Sequence, residues 1–315
     1  MDDTTSYVAR WQTLTLTLAL TPSASGALPY TLTPSLTRTT LLYSSTPLPY
    51  GAVASANNSA DKFYFNGRSD NFAAGSSLNG NNARLDPAAL RVSNDGRSVF
   101  LSDAYGPYVY QFDRSSGQRL KTFTLPANLG VSTVSAQAAV EISGNSSEIL
   151  AIHNHQFLVL ERDGKGLGDG NSASFKKLQR VDLAGATDVS LLSGAAALAP
   201  AARSSTTFLD RRLALHNAGI ADTAIPSKLE GAAFGADLVD GGSPYHTLYI
   251  ANDNDFLASS ATKLFYVFRF TDADLAAAGG SALVNQRISA VPEPGAWALM
   301  LAGLAGVGSL KRRRA

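Results

Sequence analysis

The chain has 315 residues, of which 26 are Lys or Arg, 25 are Asp or Glu and none is cysteine. The balanced charge gives no support to a nucleic-acid partner, and the lack of cysteine excludes disulfides, thiolate metal sites and a cysteine nucleophile. Only 16% of the residues are charged; Gly, Ser, Thr, Asn and Ala are abundant instead, which is typical of an all-β protein with many turns.

The segment WQTLTLTLAL near the N-terminus is predicted to be a half-buried strand. Leucine occupies every second position from 14 to 20, which is the period of a strand and not of an apolar helix. Asp2 and Asp3 precede it, so the positive region of a signal peptide is not visible here.

Further segments rich in β-branched and aromatic residues predict strands separated by turns. They are LLYSSTPL, DKFYFNG, SVFLSDAYGPYVYQFDR, RLKTFTLP, EILAIHNHQFLVLERD, FKKLQRVDL, HTLYIANDNDF and KLFYVFRF. The predicted turns are Asn94-Asp95-Gly96, Ser116-Gly117, Asp163-Gly164 and Asp240-Gly241-Gly242. Helical signal is confined to short runs such as TDADLAAAG, where Asp272 is the expected N-cap.

Two stretches of the chain share one order of parts. Residues 86–112 and 228–256 each contain a strand of small residues, an Asp-Gly turn, an apolar strand ending in Asp or Asn, and then an aromatic strand. Repeats of this kind point to a β-propeller, with a β-sandwich as the alternative. We therefore predict an all-β, β-propeller-like and incomplete fold, plus a short C-terminal apolar helix.

The C-terminal tail differs from the body. Residues 296–310 carry no charge and are followed by a cluster of four cations, which favours the cytoplasmic side of a membrane. Fifteen residues fall short of the roughly 20 that a spanning helix needs, so the segment is marginal as a permanent anchor. The alternative is a buried C-terminal helix, which Pro292 and Pro294 disfavour because they isolate the segment.

These features together resemble the PEP-CTERM sorting signal, which an exosortase recognises on exported proteins of Gram-negative bacteria. The residues that carry the resemblance are Val291, Pro292, Glu293, Pro294, Lys311, Arg312, Arg313 and Arg314. The resemblance implies export to the cell envelope or beyond, an exosortase-type partner, and membrane association through residues 296–310 before processing.

The body resembles bacterial proteins with an "esterase-like activity of phytase" domain, which are similar to β-propeller phytases. The resemblance lies in SDAYGPYVYQFDR (102–114), FLVLERDGKGLGDG (157–170), RVDLAGATDVS (180–190), KLEGAAFG (228–235) and ANDNDF (251–256). We accordingly expect a phytase-like domain over residues 1–288 and a sorting signal over 289–315.

The chain also departs from this family. Ala88 and Ala104 stand where the family usually has acidic residues, and a repeat is missing between residues 144–147 and 148–157. Residues 2–16 resemble the end of the family's first repeat, so we expect the chain to be truncated at its N-terminus.

No Gly-x-Ser-x-Gly elbow, phosphate-binding loop or His-Glu-x-x-His motif is present in the sequence. The resemblance implies instead a calcium-dependent ester or phosphoester hydrolase, with Ca²⁺ held by carboxylates. The candidate catalytic residues are Glu230 and Asp103. The candidate metal ligands are Glu161, Asp163, Glu230, Asp253 and Asp255.

Each of these carboxylates has a structural alternative, which is to cap a turn or to pair with a neighbouring Arg. The Gly-rich loop 163–171 lacks the alternating acidic pattern of strong calcium loops and favours a hairpin connection. His153 and His155 are two positions apart, a spacing that can chelate a metal on one strand face, but ordinary polar face or turn positions are the preferred interpretation.

The sequence is also compatible with two other functions. One is a non-catalytic surface protein that presents loops to extracellular polysaccharide, and the other is a degenerate, inactive fragment.

Overall fold

The computed structural model of the chain describes residues 6–20, 30–50, 57–68, 79–103, 108–125, 145–189, 191–192, 194–254 and 264–284. Antiparallel strands dominate these ranges and the helices are short. The all-β prediction is therefore confirmed.

Six strands at the N-terminal end form three two-stranded units. They are β1 (Ser6–Val8), β2 (Arg10–Leu20), β3 (Tyr30–Leu41), β4 (Tyr43–Ser44), β5 (Phe63–Tyr64) and β6 (Asn66–Arg68). Strand β1 pairs with β6, β4 with β5, and β2 with β3 in a long ribbon. The predicted WQTLTLTLAL strand is thus present. Its base is anchored where Trp11 packs edge-on against Phe112, whereas Leu20 is 60% exposed.

The first four-stranded sheet follows in simple up-and-down order. Its strands are β7 (Pro87–Val92), β8 (Ser98–Asp103), β9 (Tyr108–Asp113) and β10 (Arg119–Thr124). Alternate residues of β9 are buried, as the strand period requires. Tyr108, Tyr110 and Phe112 consequently form one core with residues of the N-terminal strands such as Phe65.

The second sheet repeats this order, with one short helix between its third and fourth strands and another after its fourth strand. Its strands are β11 (Asn145–Ala151), β12 (Gln156–Arg162), β13 (Lys176–Asp182) and β14 (Ser205–Asp210), and the helices are α1 (Ala195–Leu198) and α2 (Arg211–Asn217). The stretch EILAIHNHQFLVLERD was predicted as one strand segment and forms two strands, with a turn at residues 152–155.

The third sheet is built around its longest strand. Its elements are β15 (Leu229–Phe234), β16 (Leu238–Asp240), β17 (Ser243–Asn252), β18 (Phe265–Phe270) and helix α3 (Asp272–Ala277). Strands β15 and β16 pair with successive parts of β17, which also pairs with β18.

The N-cap of α3 differs from the prediction. Thr271 accepts a hydrogen bond from the backbone N–H of Asp274, and the Asp274 carboxylate bonds back to the Thr271 N–H. This reciprocal capping box makes Asp272 the first helical residue instead of the cap.

The predicted internal similarity has a structural counterpart. An Asp-Gly turn joins β7 to β8 in the first sheet and β16 to β17 in the third, and Gly96 and Gly241 take the positive φ that these turns need. Strand β11 contacts both β7 and β15, so the first strand of the second sheet is a neighbour of the first strands of the other two.

Across the described ranges these sheets do not close into a complete propeller. The predicted C-terminal helix and residues 296–310 lie outside the described residues. None of the helices that the structure does describe is long and apolar enough to cross a membrane.

Candidate functional site

Acidic residues lie at corresponding strand ends in the first and third sheets. In the first sheet, the carboxylate of Asp103 accepts a hydrogen bond of 3.0 Å from the backbone N–H of Asp86, just before β7. In the third, the backbone N–H of Asp253, just after β17, donates to the Lys228 carbonyl at 3.0 Å. In both sheets a hydrogen bond thus joins the start of the first strand to the end of the strand paired with it, and Asp86 and Asp253 lie at these strand ends.

Asp86 and Asp253 come from different sheets and act on each other electrostatically. Burial raises the pKa of Asp86, and the negative charge of Asp253 raises it further, while Lys228 and Arg84 oppose the increase. Asp86 nevertheless keeps an exposed surface, so solvent can reach it. We call Asp86 and Asp253 the carboxylate pair.

Tyr7 of β1 faces the carboxylate pair. The pKa of its hydroxyl is raised by burial and then by the charges of Asp86 and Asp253. Its ring lies directly over Gly67 of β6, where a Cβ atom would collide with the ring. A glycine at this position lets the N-terminal strands bring a phenol close to both carboxylates.

The predicted metal ligand Asp163 is buried and its carboxylate already has a cation. The ammonium of Lys176, which is fully buried, lies 2.7 Å from Oδ1 of Asp163. Oδ2 accepts hydrogen bonds from the Ser174 hydroxyl and the Phe175 N–H. Burial alone would raise the pKa of Asp163, but the bonds from Lys176 and Ser174 outweigh it and hold that pKa below its usual value.

The predicted residue Glu230 forms an ion pair across two sheets. Its carboxylate accepts a hydrogen bond from the guanidinium of Arg162, at the end of β12, and the Arg162 side chain is 7% exposed. Glu161 lies beside Arg162 in β12 and is half-buried, and its backbone carbonyl accepts a hydrogen bond from Arg211.

The calcium implied by the family resemblance can be compared with these donor sets. Asp163 and Glu230 do not suit a calcium ion as they stand, because Lys176 and Arg162 already neutralise them. The carboxylate pair supplies oxygen donors of the kind that a hard cation binds, and Lys228 and Arg84 already act on Asp86 there. Among the described residues, no three His, Asp or Glu side chains form a group that could hold a metal.

The remaining candidate residues fall into two groups. His153 and His155 lie in the turn between β11 and β12 and their rings meet edge-on; His155 is bonded to Asp182 at 2.9 Å. Their turn is at the opposite end of the second sheet from Arg162 and Asp163. Asp255, Ala104 and every sorting-signal residue lie outside the described residues.

Sequence reasoning did not single out Asp86, Lys228, Tyr7 or Lys176. For Asp86 a signal was present, because the dipeptide Asp86-Pro87 opens the first of the two similar stretches. Lys176 is in phase with the buried Leu178 in β13, which indicates an inward-facing position. Tyr7 carries no comparable signal.

Comparison with known protein families supplies two matches. Residues 133–256 match the model of the phytase-like family, described as esterase-like activity of phytase, and residues 290–315 match the PEP-CTERM protein-sorting motif. No curated protein and no solved structure matched significantly. The first match includes Asp163, Glu230 and Asp253 and begins after Asp86 and Asp103. The chain thus joins a phytase-like segment to a C-terminal PEP-CTERM sorting motif, as the sequence resemblance predicted.

Proposed function

We propose that this exported, envelope-sorted phytase-like protein is an ester or phosphoester hydrolase whose reaction takes place at the carboxylate pair. The observation that carries the proposal is the electrostatic interaction of Asp86 with Asp253, from a different sheet, which together with burial raises the pKa of Asp86. A carboxyl group whose pKa is raised is suited to act as a general acid, and a second carboxylate that interacts with it can serve as the general base.

The raised pKa of Asp86 makes it the general acid in this proposal and leaves Asp253 as the general base. Asp253 accepts a proton from water as the water oxygen attacks the carbonyl carbon or the phosphorus. Asp86, whose raised pKa keeps it protonated to a higher pH, donates its proton to the leaving alkoxide as the ester bond breaks. Lys228 and Arg84 are close enough to influence Asp86 and are suited to hold a phosphate or a developing oxyanion.

Asp103 and Tyr7 have supporting roles in this proposal. Asp103 fixes the backbone at Asp86 through its 3.0 Å hydrogen bond. Tyr7 lies next to both carboxylates and suits hydrogen bonding to a bound ester oxygen. A calcium ion, if held by the ionised carboxylates of Asp86 and Asp253, would polarise that oxygen as a Lewis acid in place of the proton from Asp86.

The test is hydrolysis of p-nitrophenyl phosphate and p-nitrophenyl acetate by the purified full-length chain, with calcium chloride and with a chelator. We expect Asp86→Asn and Asp253→Asn each to lower kcat/KM by about 10²-fold or more. Asp61→Asn is the control, since Asp61 is exposed and bonds locally to Ser59; it should retain wild-type activity. Wild-type rates in Asp86→Asn, or no turnover by the native chain under any condition, would refute the proposal.

The second candidate is a non-catalytic surface protein that binds extracellular polysaccharide. It is favoured by the pairing of Asp163 with Lys176 and of Glu230 with Arg162, because these pairs leave two expected metal ligands already neutralised. No turnover by a well-folded chain, together with polysaccharide binding in a pull-down, would select this candidate.

The finer features of sorting and architecture are proposed on similar grounds. The uncharged residues 296–310 are proposed to be a membrane segment before processing, held by the four following cations. The three adjacent sheets are proposed to be consecutive blades of an incomplete β-propeller, which would place the carboxylate pair at the end where the blade strands begin.

A further inference from the structure

The ammonium group of Lys176 is enclosed entirely by oxygen atoms. It lies 2.7 Å from both the carbonyl and the Oδ1 of Asp163, 2.8 Å from the Lys165 carbonyl and 2.7 Å from the Ser227 carbonyl. Lys176 is 0% exposed, so its ammonium does not face bulk solvent. We call these four oxygens the oxygen cage.

The composition of the oxygen cage is that of a cation site. An ammonium has three N–H donors, yet four oxygens lie within hydrogen-bond distance of it. A single carboxylate with three carbonyls is a donor set that binds hard cations in proteins. The cage therefore surrounds the Lys176 charge as it would surround a bound ion.

The charge of the cage indicates which ion it suits. Asp163 supplies one formal negative charge, and Arg162 and Arg211 lie close enough to lower the pKa of Lys176, with burial as the larger cause. A second positive charge at this position would be repelled by both guanidiniums. The site is thus matched to one positive charge and opposes a divalent ion.

The oxygen cage also joins two loops. Asp163 and Lys165 belong to the connection between β12 and β13, and Ser227 precedes β15. The two loops exchange backbone hydrogen bonds, from the Leu167 N–H to the Ile225 carbonyl and from the Ser227 N–H to the Leu167 carbonyl.

Gly166 lets these two loops approach. It has a φ of 137°, and a Cβ atom there would collide with the Ile225 carbonyl. The close contact around the cage is therefore built into the backbone of both loops.

From these observations we infer that the oxygen cage is a monovalent-cation site filled by the chain's own Lys176 side chain. The Lys176 ammonium takes the place of a bound K⁺ or ammonium ion and links the second sheet to the segment that leads into the third. That segment continues through Lys228, whose carbonyl accepts from Asp253. This inference concerns stability and is independent of hydrolytic activity.

The experiment removes the tether and supplies the ion from solution. The substitution Lys176→Ala removes a group equivalent to n-propylammonium. Lys177→Ala is the matched control, because the Lys177 ammonium lies over the Phe175 ring and outside the oxygen cage. Tm of the full chain is measured in n-propylammonium, potassium, calcium and tetramethylammonium chlorides at one ionic strength. Tetramethylammonium, which has no N–H, is the reference cation.

We expect Lys176→Ala to lose roughly 10 °C in Tm in the reference salt. Propylammonium or potassium should restore at least half of that loss, whereas the native chain and Lys177→Ala should respond equally to all four salts. An unchanged Tm in Lys176→Ala would overturn the inference, as would equal losses in all salts or restoration by calcium alone.

A refolding measurement covers the case in which Lys176→Ala is isolated unfolded. The variant is diluted from urea into each salt, and native circular dichroism is recorded. Recovery in propylammonium or potassium supports the cation site, and failure to recover in every salt contradicts it.

Discussion

Arg211 provides a sharp test of how the second and third sheets are held together. It is the first residue of α2 and is 0% exposed. Its guanidinium donates to the carbonyls of Leu229 at 3.2 Å, Glu161 at 2.8 Å and Lys177 at 3.2 Å. Burial lowers the pKa of Arg211, with the charge of Asp210 opposing it, and the three bonds to carbonyls further offset the desolvation of the guanidinium.

The substitution Arg211→Met keeps a long side chain and removes every donor. Three hydrogen bonds from a charged group contribute about 1.5–3 kcal/mol each, but methionine recovers packing and removes a desolvated charge. We therefore expect the free energy of unfolding to fall by about 3–5 kcal/mol, well below the simple sum. Urea unfolding followed by circular dichroism measures this change.

Arg212→Met is the control at the neighbouring position. Arg212 pairs with Asp222 at 2.9 Å, and both side chains are about one-quarter exposed, so its loss should cost no more than about 1 kcal/mol. Similar losses in the two variants would show that the three carbonyl contacts of Arg211 do not hold the sheets together, and the reasoning would fail.

Two further predictions concern pH and sorting. Burial would lower the pKa of His246, but its bonds to Asp237 and Asp272 outweigh burial and raise that pKa. These bonds to the protonated imidazole should stabilise the fold by about 1 kcal/mol. This stabilisation is present in full below roughly pH 6.5 and is lost as the pH rises through the raised pKa. Urea unfolding across pH should show this loss in the native chain and not in His246→Gln; an identical pH dependence in both would contradict it. Replacing Pro292 and Pro294 with alanine should leave unprocessed chain in the membrane fraction of the source cells, as detected by blotting, whereas normal processing would argue against exosortase recognition through these prolines.

The strands could be predicted because their signal is local. Alternation within six or seven residues is enough to identify β9 or β12, and the Asp-Gly turns mark where strands reverse. The N-cap of α3 was placed one residue late for a local reason as well. Thr271 and Asp272 are both good caps by residue type, and only the reciprocal bond to Asp274 distinguishes them.

The charge partners could not be predicted in the same way. Arg162 and Glu230 are 68 positions apart, and Lys176 and Ser227 are 51 apart. Which cation meets which carboxylate depends on how successive sheets pack side by side, and strand periodicity contains no such information. The sequence could show that Glu230 is acidic and near a strand start, but not that Arg162 would lie against it.

These partners change where a metal should be sought in this chain. A calcium ion at Asp163 would have to displace the buried Lys176 ammonium, and one at Glu230 would have to displace the Arg162 guanidinium. Each displacement leaves a buried cation without its partner, which costs several kcal/mol. At Asp86 and Asp253 a cation would counter the repulsion that raises the pKa of Asp86, and it would compete there with Lys228, which is half-buried, and not with a fully buried ammonium such as that of Lys176. We therefore expect calcium binding to be weakened more by Asp86→Asn than by Asp163→Asn.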